Sequence, residues 1–334
     1  MANLRQFVGV HASAVAAYTL TVALFGFALT RSAGFGSTHN VSGLLTTTTL
    51  LALPALGQTL VVLTGGIDLS VPWIVSAGGV AMANYTASSE LPGWLVAVTV
   101  VLGGGLIGLL SGIGVTVFAI PSIVMTLAVG GLVQGFVLSM QLSGGANART
   151  APAGLIRLVD TGFGPFPVIT AMLLVGATLV GLALHRSRFG VRLYATGTNE
   201  TVARLAGVRV QRVRAIVYVT SGMASALAGI LILGYARQAY LDMGNPYLFT
   251  SIAAVALGGV SLLGGSGTYW GTLGGAALIT VLTTILPMFH VGIAQMQIAY
   301  GAIILAGVAM GRVGEHLGAS PQSRTPTAEG ASHG

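Results

Sequence analysis

The stretch VVLTGGIDLSVPWIV (61–75) sets a carboxylate, Asp68, and the hydroxyl of Ser70 behind a Gly65–Gly66 pair inside an apolar segment. No other acid precedes Glu90. Two kinds of chemistry are open to Asp68. As a helix cap it accepts the amide hydrogens of Ser70 or Val71 where a new helix begins. As part of a translocation path or gate it offers an acceptor that re-pairs between states, because ionisable groups at membrane depth are costly and functional. Gly65, Gly66 and Ser70 share that second reading, since Gly-interrupted helices frame transport sites. Asp68 is expected to be the only intramembrane acid, which leaves a proton relay without a next carrier. The amides of Gln58, Asn84 and Gln134, with Gln141, Gln295 and Gln297, are further candidates for a polar path. Amides inside apolar helices also hold helices together. An intramembrane serine hydrolase would draw on Ser266 of GGSG (264–267) and on His290, which must approach to about 3 Å.

The elements that must carry these groups are set by composition. The chain is 54% hydrophobic and 6% charged, with a mean hydropathy of +0.88. Soluble domains carry about a quarter charged residues, so the solvent of this chain is a bilayer. A hydrocarbon core of about 30 Å takes roughly 20 apolar residues per helical span. Such runs lie at 12–30, 43–64, 69–87, 93–118, 121–142, 166–184, 214–234, 249–264, 271–288 and 291–311. They lack the alternation of barrel strands. The expectation is an all-α polytopic membrane protein of about ten transmembrane helices. The first run ends in LTRSAG, with Arg31 where a cleavage site needs a small residue, and is read as a retained helix.

All 14 basic residues are arginine, and there is no cysteine. Without lysine the chain has no P-loop and no Schiff base, so any ATP energy must come from a partner. No cofactor of its own is expected. The net charge of +7 reports topology rather than nucleic-acid binding. With both termini cytoplasmic and ten spans, Arg5, Arg186, Arg188, Arg192, Arg204, Arg209, Arg212, Arg214, Arg312 and Arg324 fall inside. Arg31, Arg149, Arg157 and Arg237 fall outside, and the ten-to-four split fits the positive-inside rule. This layout sets Ser266 and His290 a membrane apart. The transmembrane domain is read as 1–312, with an outer loop at 143–165, an inner loop at 185–213 and a polar, disordered tail at 313–334.

Within the inner loop, GTNETVARLAGV has the marks of a short surface helix. Thr198 or Asn199 caps its start, Glu200 and Arg204 pair across one turn, and Gly207 suits its left-handed end. Val202, Leu205 and Ala206 form an apolar face that rests on lipid head groups or docks in a groove of a cytoplasmic partner. A second Gly-interrupted segment, VALGGVSLLGG (255–265), echoes VVLTGGIDLS by matching Gly-Gly to Gly-Gly, which suggests an internal repeat.

Three ordered stretches, TGGIDLSV (64–71), GTNETVARLAGVRVQRV (197–213) and SIAAVALGGVSLLGGSGTYWGTLGGA (251–276), resemble the permease subunits of ribose-type bacterial sugar ABC importers. Typical members read GGIDLSVG, GGNxxAAxLSGIxV and IAAVVLGGTSLxGGxGxxxGTxxGA in that order, and the likeness spans about 40 to 310. Pro72 and Thr198 replace glycines of that pattern. The resemblance implies a translocation path for a monosaccharide or related small polar solute in the bacterial inner membrane. It implies an ABC ATPase subunit that carries ATP and Mg, an extracytoplasmic solute-binding protein, and a second permease copy or homologue. It puts Asn199, Glu200, Ala203, Arg204, Leu205 and Gly207 at the ATPase. Arg149, Arg157 and Arg237 face the binding protein. An ion-coupled secondary transporter is the alternative from composition, and would leave the inner-loop helix without a role.

Overall fold

In the computed structural model, residues 2–143 and 150–318 are described, and they are mostly helical. In chain order the helices are α1 (Ala2–Arg31), α2 (Thr38–Leu63), α3 (Val71–Ser88), α4 (Gly93–Thr116) and α5 (Ser122–Ser143). A short α6 (Ala153–Asp160) and a two-residue hairpin, Gly162–Phe163 with Phe166–Pro167, precede α7 (Val168–Arg186). Then follow α8 (Arg188–Thr198), α9 (Glu200–Leu205), α10 (Val210–Ala236), α11 (Tyr247–Leu257), α12 (Tyr269–Ile285) and α13 (Ile293–Gly318). Each of the ten apolar runs overlaps one helix, although the run 249–264 continues past the end of α11 at Leu257. Seven helices (α1, α2, α4, α5, α7, α10 and α12 with its following turn) are long and apolar enough to cross a membrane. The remaining runs lie on α3, on the 11-residue α11 and on α13.

Lipid offers no hydrophobic drive between helices, so close packing and interhelical hydrogen bonds must hold the bundle. The central α10 shows how. Gly104, Gly108 and Gly112 line one stripe of α4, and a Cβ on any of them would press into α10 at Ala226, Gly222, Tyr218 or Ala215. Hydroxyls add buried links: Thr49 to Thr170 at 2.9 Å, Thr59 to Thr272 at 2.8 Å, and the Tyr269 hydroxyl to the Ala52 carbonyl at 2.9 Å.

The arginine-rich α7–α10 connection gathers at one end of the bundle. There Leu60 to Leu63 of α2, Leu193 of α8, Val213 and Val217 of α10, and Val255 and Val260 near the end of α11 form one buried cluster. Arg157, Asp160 and Arg237 lie together at the far end of α10. Ser266 and His290 flank α12, a 17-residue helix about 25 Å long, so they form no serine–histidine pair.

Candidate functional site: a junction of three motifs

The three stretches singled out by sequence, far apart along the chain, meet at the arginine-rich end. α2 stops because Gly65 takes φ +79°, a left-handed conformation that costs glycine little. The Gly65 amide donates to the Val62 carbonyl (2.8 Å) and that of Gly66 to Val61 (3.1 Å), the paired bonds of a Schellman end. α11 ends the same way. Gly259 takes φ +78° and donates to Ala256, while Val260 donates to Val255. The two breaks therefore share a helix-end geometry, in a register that differs from the expected match. Gly65 corresponds to Gly259, not Gly258, because the left-handed residue marks the helix end and Thr64 occupies the cap position that Gly258 fills in α11.

The two breaks touch. The Gly265 amide donates to the Leu63 carbonyl at 3.0 Å, and an added Cβ on Gly264 would lie 2.9 Å from the Gly65 nitrogen. Gly197, near the end of α8, backs onto that same Leu63 carbonyl and the Gly265 nitrogen, leaving no room for a side chain. The Tyr194 hydroxyl ties α8 to the Gly267 carbonyl at 2.7 Å.

Beyond Gly66 the chain runs without helix to Ser70, and its amides must find partners. Hydroxyls of α5 supply them: Ile67 donates to Ser122 Oγ (3.3 Å) and Leu69 to Thr126 Oγ1 (3.0 Å). Asp68 is 1% exposed. Its Oδ1 accepts the Ser70 amide at 3.0 Å and the Ser70 hydroxyl at 2.5 Å. The expected amide bond is present, but the N-cap of α3 is Ser70, so Asp68 closes the turn before the helix instead of capping it. Its Oδ2 accepts the hydroxyl of Ser221 on α10 at 2.7 Å, a partner 153 residues away that sequence did not indicate. Ser221 stands eleven residues beyond Val210, about 17 Å up α10 and near the middle of its 27 residues. Asp68 therefore lies deep in the bundle.

Gln58 is fully buried, with both amide atoms lacking a hydrogen-bond partner. Its neighbour Gly57 packs against Ser221, which sets Gln58 near the depth of Asp68. The structure does not gather the other amides there. Asn84 donates to Val80 of its own helix at 2.9 Å, and Gln134 lies exposed on α5.

α9 carries the expected caps. Asn199 Oδ1 accepts the Val202 amide at 3.0 Å, and Gly207 takes φ +80° with the third Schellman end, its amide on Arg204 and that of Val208 on Ala203. Glu200 pairs with Arg204, as its spacing predicts, and also with Arg214 of α10 at 2.7 Å. Partial burial pushes the Glu200 carboxyl up, but the Arg204 hydrogen bond and the charges of Arg214 and Arg204 outweigh it and hold it below its usual range. It is thus ionised at neutral pH. Ala203 is buried, while Val202 (59%) and Leu205 (84%) stand in solvent beside exposed Ala206. A cavity of about 340 Å³ opens between α9 and the break, lined by Thr64–Gly66, Ser122, Glu200, Arg204, Arg214 and Tyr218 among others. Arg214, Tyr218 and Ser221 sit at successive turns of α10, so one helix face connects Glu200 to Asp68.

At the opposite end Arg157 is exposed on α6, and exposed Arg237 pairs with Asp160 at 3.2 Å. Arg149 lies outside the described residues, as does the tail beyond Gly318.

Comparison with known proteins places this geometry. Residues 40–310 match the family described as branched-chain amino acid transport system / permease component. The chain is 33% identical to the ribose import permease protein of Haemophilus influenzae, over 82% of this chain and 85% of that protein. It is 33% identical to the ribose import permease protein of Escherichia coli K12 (85% and 89% covered) and 29% to the fructose import permease protein of Rhizobium meliloti (92% and 87%). The multi-pass helical bundle, its paired helix breaks and the match across 40–310 together identify the chain as a member of the permease-component family of these transport systems.

Proposed function

We propose that the chain forms the translocation path of an ABC importer for a monosaccharide or related small polar solute, driven by a separate ATPase subunit that carries ATP and Mg. The observation that carries this reading is the junction of α8 and α9 with the two helix breaks. It provides what a subunit without a phosphate loop needs, a surface lever in contact with the membrane path. Val202 and Leu205 present apolar side chains to a groove on the ATPase, and Asn199, Glu200, Ala203, Arg204 and Gly207 hold their helix in shape. The Glu200–Arg214 pair passes a pull on α9 to α10, and the Gly197–Leu63 contact passes it to the Gly65–Asp68 break. The relatives named for ribose and fructose import support the solute class. The arginine asymmetry supports a cytoplasmic position for α9 in the inner membrane. Arg157 and Arg237 then face an extracytoplasmic binding protein, and a second permease copy or homologue completes the path.

The test is Leu205→Asp. Leu205 is 84% exposed, so the substitution leaves the bundle intact while removing apolar burial worth about 1.5–3 kcal/mol at an interface. The expected outcome is a tagged chain that extracts as a monodisperse protein but retains its ATPase subunit roughly ten- to a hundredfold more weakly than wild type. An ATPase retained at the wild-type ratio, or absent from the wild type under several mild detergents, overturns the reading.

A further inference from the structure

The segment after α10 does not simply cross to the next span. Arg237 ends α10 in a left-handed conformation, and its carbonyl accepts the Ala151 amide at that end of the bundle. The chain then turns back into the bundle. Ala239 and Met243 are buried, and the Met243 sulfur lies where a side chain on Gly79 would stand. The Gly244 amide donates to Ser76 Oγ at 3.1 Å, and its Cα rests on the Pro72 carbonyl in the first turn of α3. Ser76 lies twelve residues short of Ser88, about 18 Å below that end of α3. α11 starts from this depth, which is why 11 residues, about 16 Å, carry it to the Gly259 break. A second acid, Asp242, rides on this segment.

Irregular backbone inside the hydrocarbon layer persists only where protein buries it or where it lines a water-filled cavity. One side of this segment is buried in protein. The other presents Tyr240 (50% exposed), Asp242, Asn245 and Pro246, with Phe249 (46%) just beyond. A carboxylate at this depth does not face lipid. The Asn245 amide nitrogen donates to Asp242 Oδ1 at 3.2 Å and its backbone to the Asp242 carbonyl at 3.0 Å, which orients both side chains on one turn.

We propose that residues 240–246 line the water-filled half of the translocation path remote from the arginine-rich end, and that Asp242 and Asn245 form a hydroxyl-binding station there. The inference rests on the transport reading above and deepens it. A carboxylate accepts hydroxyl hydrogens, an amide both donates and accepts, and the flanking aromatic rings offer apolar faces to C–H groups. That set suits a neutral polyhydroxylated solute and repels an anionic one.

The chain contains no cysteine, so Asp242→Cys and Asn245→Cys each introduce the only thiol of this chain, and labelling is read on its band alone. The complete complex in nanodiscs, open on both faces, is treated with a charged, membrane-impermeant thiol reagent. Both positions are expected to react at a rate comparable to Glu90→Cys, an exposed loop site, while Val22→Cys, 71% exposed on α1, stays unmodified in lipid. Asp242→Ala is expected to lower sugar uptake at limiting solute roughly tenfold with the ATPase still bound. Failure of both positions to react while Glu90→Cys does, or wild-type uptake by Asp242→Ala, overturns the proposal. If the wild-type complex takes up no sugar, the solute assigned above has failed, and the labelling alone decides whether 240–246 lines water.

Discussion

Asp68→Ala is expected to abolish solute uptake and to destabilise the bundle by about 3 kcal/mol or more. The side chain is 1% exposed and is the common acceptor for the Ser70 amide, the Ser70 hydroxyl and the Ser221 hydroxyl. Removing it strands three donors that have no water to turn to, and buried donors without partners cost about 1–3 kcal/mol each. Ser221→Ala removes only one donor and is expected to cost about 1 kcal/mol. Asp68→Asn separates the two roles that the sequence leaves open. Its carbonyl oxygen still caps Ser70, and its NH2 group can donate to a Ser221 hydroxyl that rotates to accept. If Asp68 only holds the turn before α3, asparagine restores both stability and uptake. The bond to Ser221 on the helix that also holds Glu200 favours a role for the charge, so the expected result is stability restored and uptake not. The temperature at which the extracted protein loses its monodisperse peak, measured beside uptake in proteoliposomes, reads both quantities. Full uptake by Asp68→Asn would reduce Asp68 to a structural acceptor in the turn before α3.

Gly197→Ala should produce the second large effect, from one methyl group. A Cβ there would overlap the Leu63 carbonyl and crowd the Gly265 nitrogen, so the bond between those two groups cannot survive in place. Overpacking of a tight contact costs about 1–3 kcal/mol, and here the strain falls on the junction of both helix breaks with α8. The expected phenotype is uncoupling. The complex assembles and hydrolyses ATP, but uptake per ATP falls at least roughly tenfold, since α9 no longer moves with the Gly65–Asp68 segment. Gly176→Ala is the control, because no atom lies within 4 Å of a Cβ at that position. Loss of ATPase binding, rather than of coupling, in Gly197→Ala would mean that Gly197 only shapes α9. Normal uptake per ATP would remove the junction from the mechanism.

Much of the fold was legible because its signals are local. Hydropathy over twenty residues located the seven helices long and apolar enough to cross a membrane, since each span must satisfy its own backbone wherever it packs. The caps of α9 were legible for the same reason: Asn199 and Gly207 act within one turn, as does the Glu200–Arg204 pair. Gln134 shows the limit. An amide in an apolar run announces polarity without direction, and only the packing of α5 leaves it exposed while Gln58 is sealed inside. The match between the two breaks shifts by one residue from the sequence pairing because Gly258 and Gly259 look alike in sequence, whereas only the second adopts the left-handed conformation.

By itself, then, the sequence determined a multi-pass helical protein, the helix breaks at two glycine pairs, a capped surface helix and an acid that accepts the Ser70 amide ahead of α3. Tertiary structure alone decided that these features touch, that Asp68 meets Ser221 in mid-bundle, that Arg214 joins Glu200 to α10, and that 240–246 dips back toward α3. The reason is physical. Glycine, serine and alanine permit helices to approach closely without encoding which helix approaches, so the partners emerge only when every span has been packed against the others.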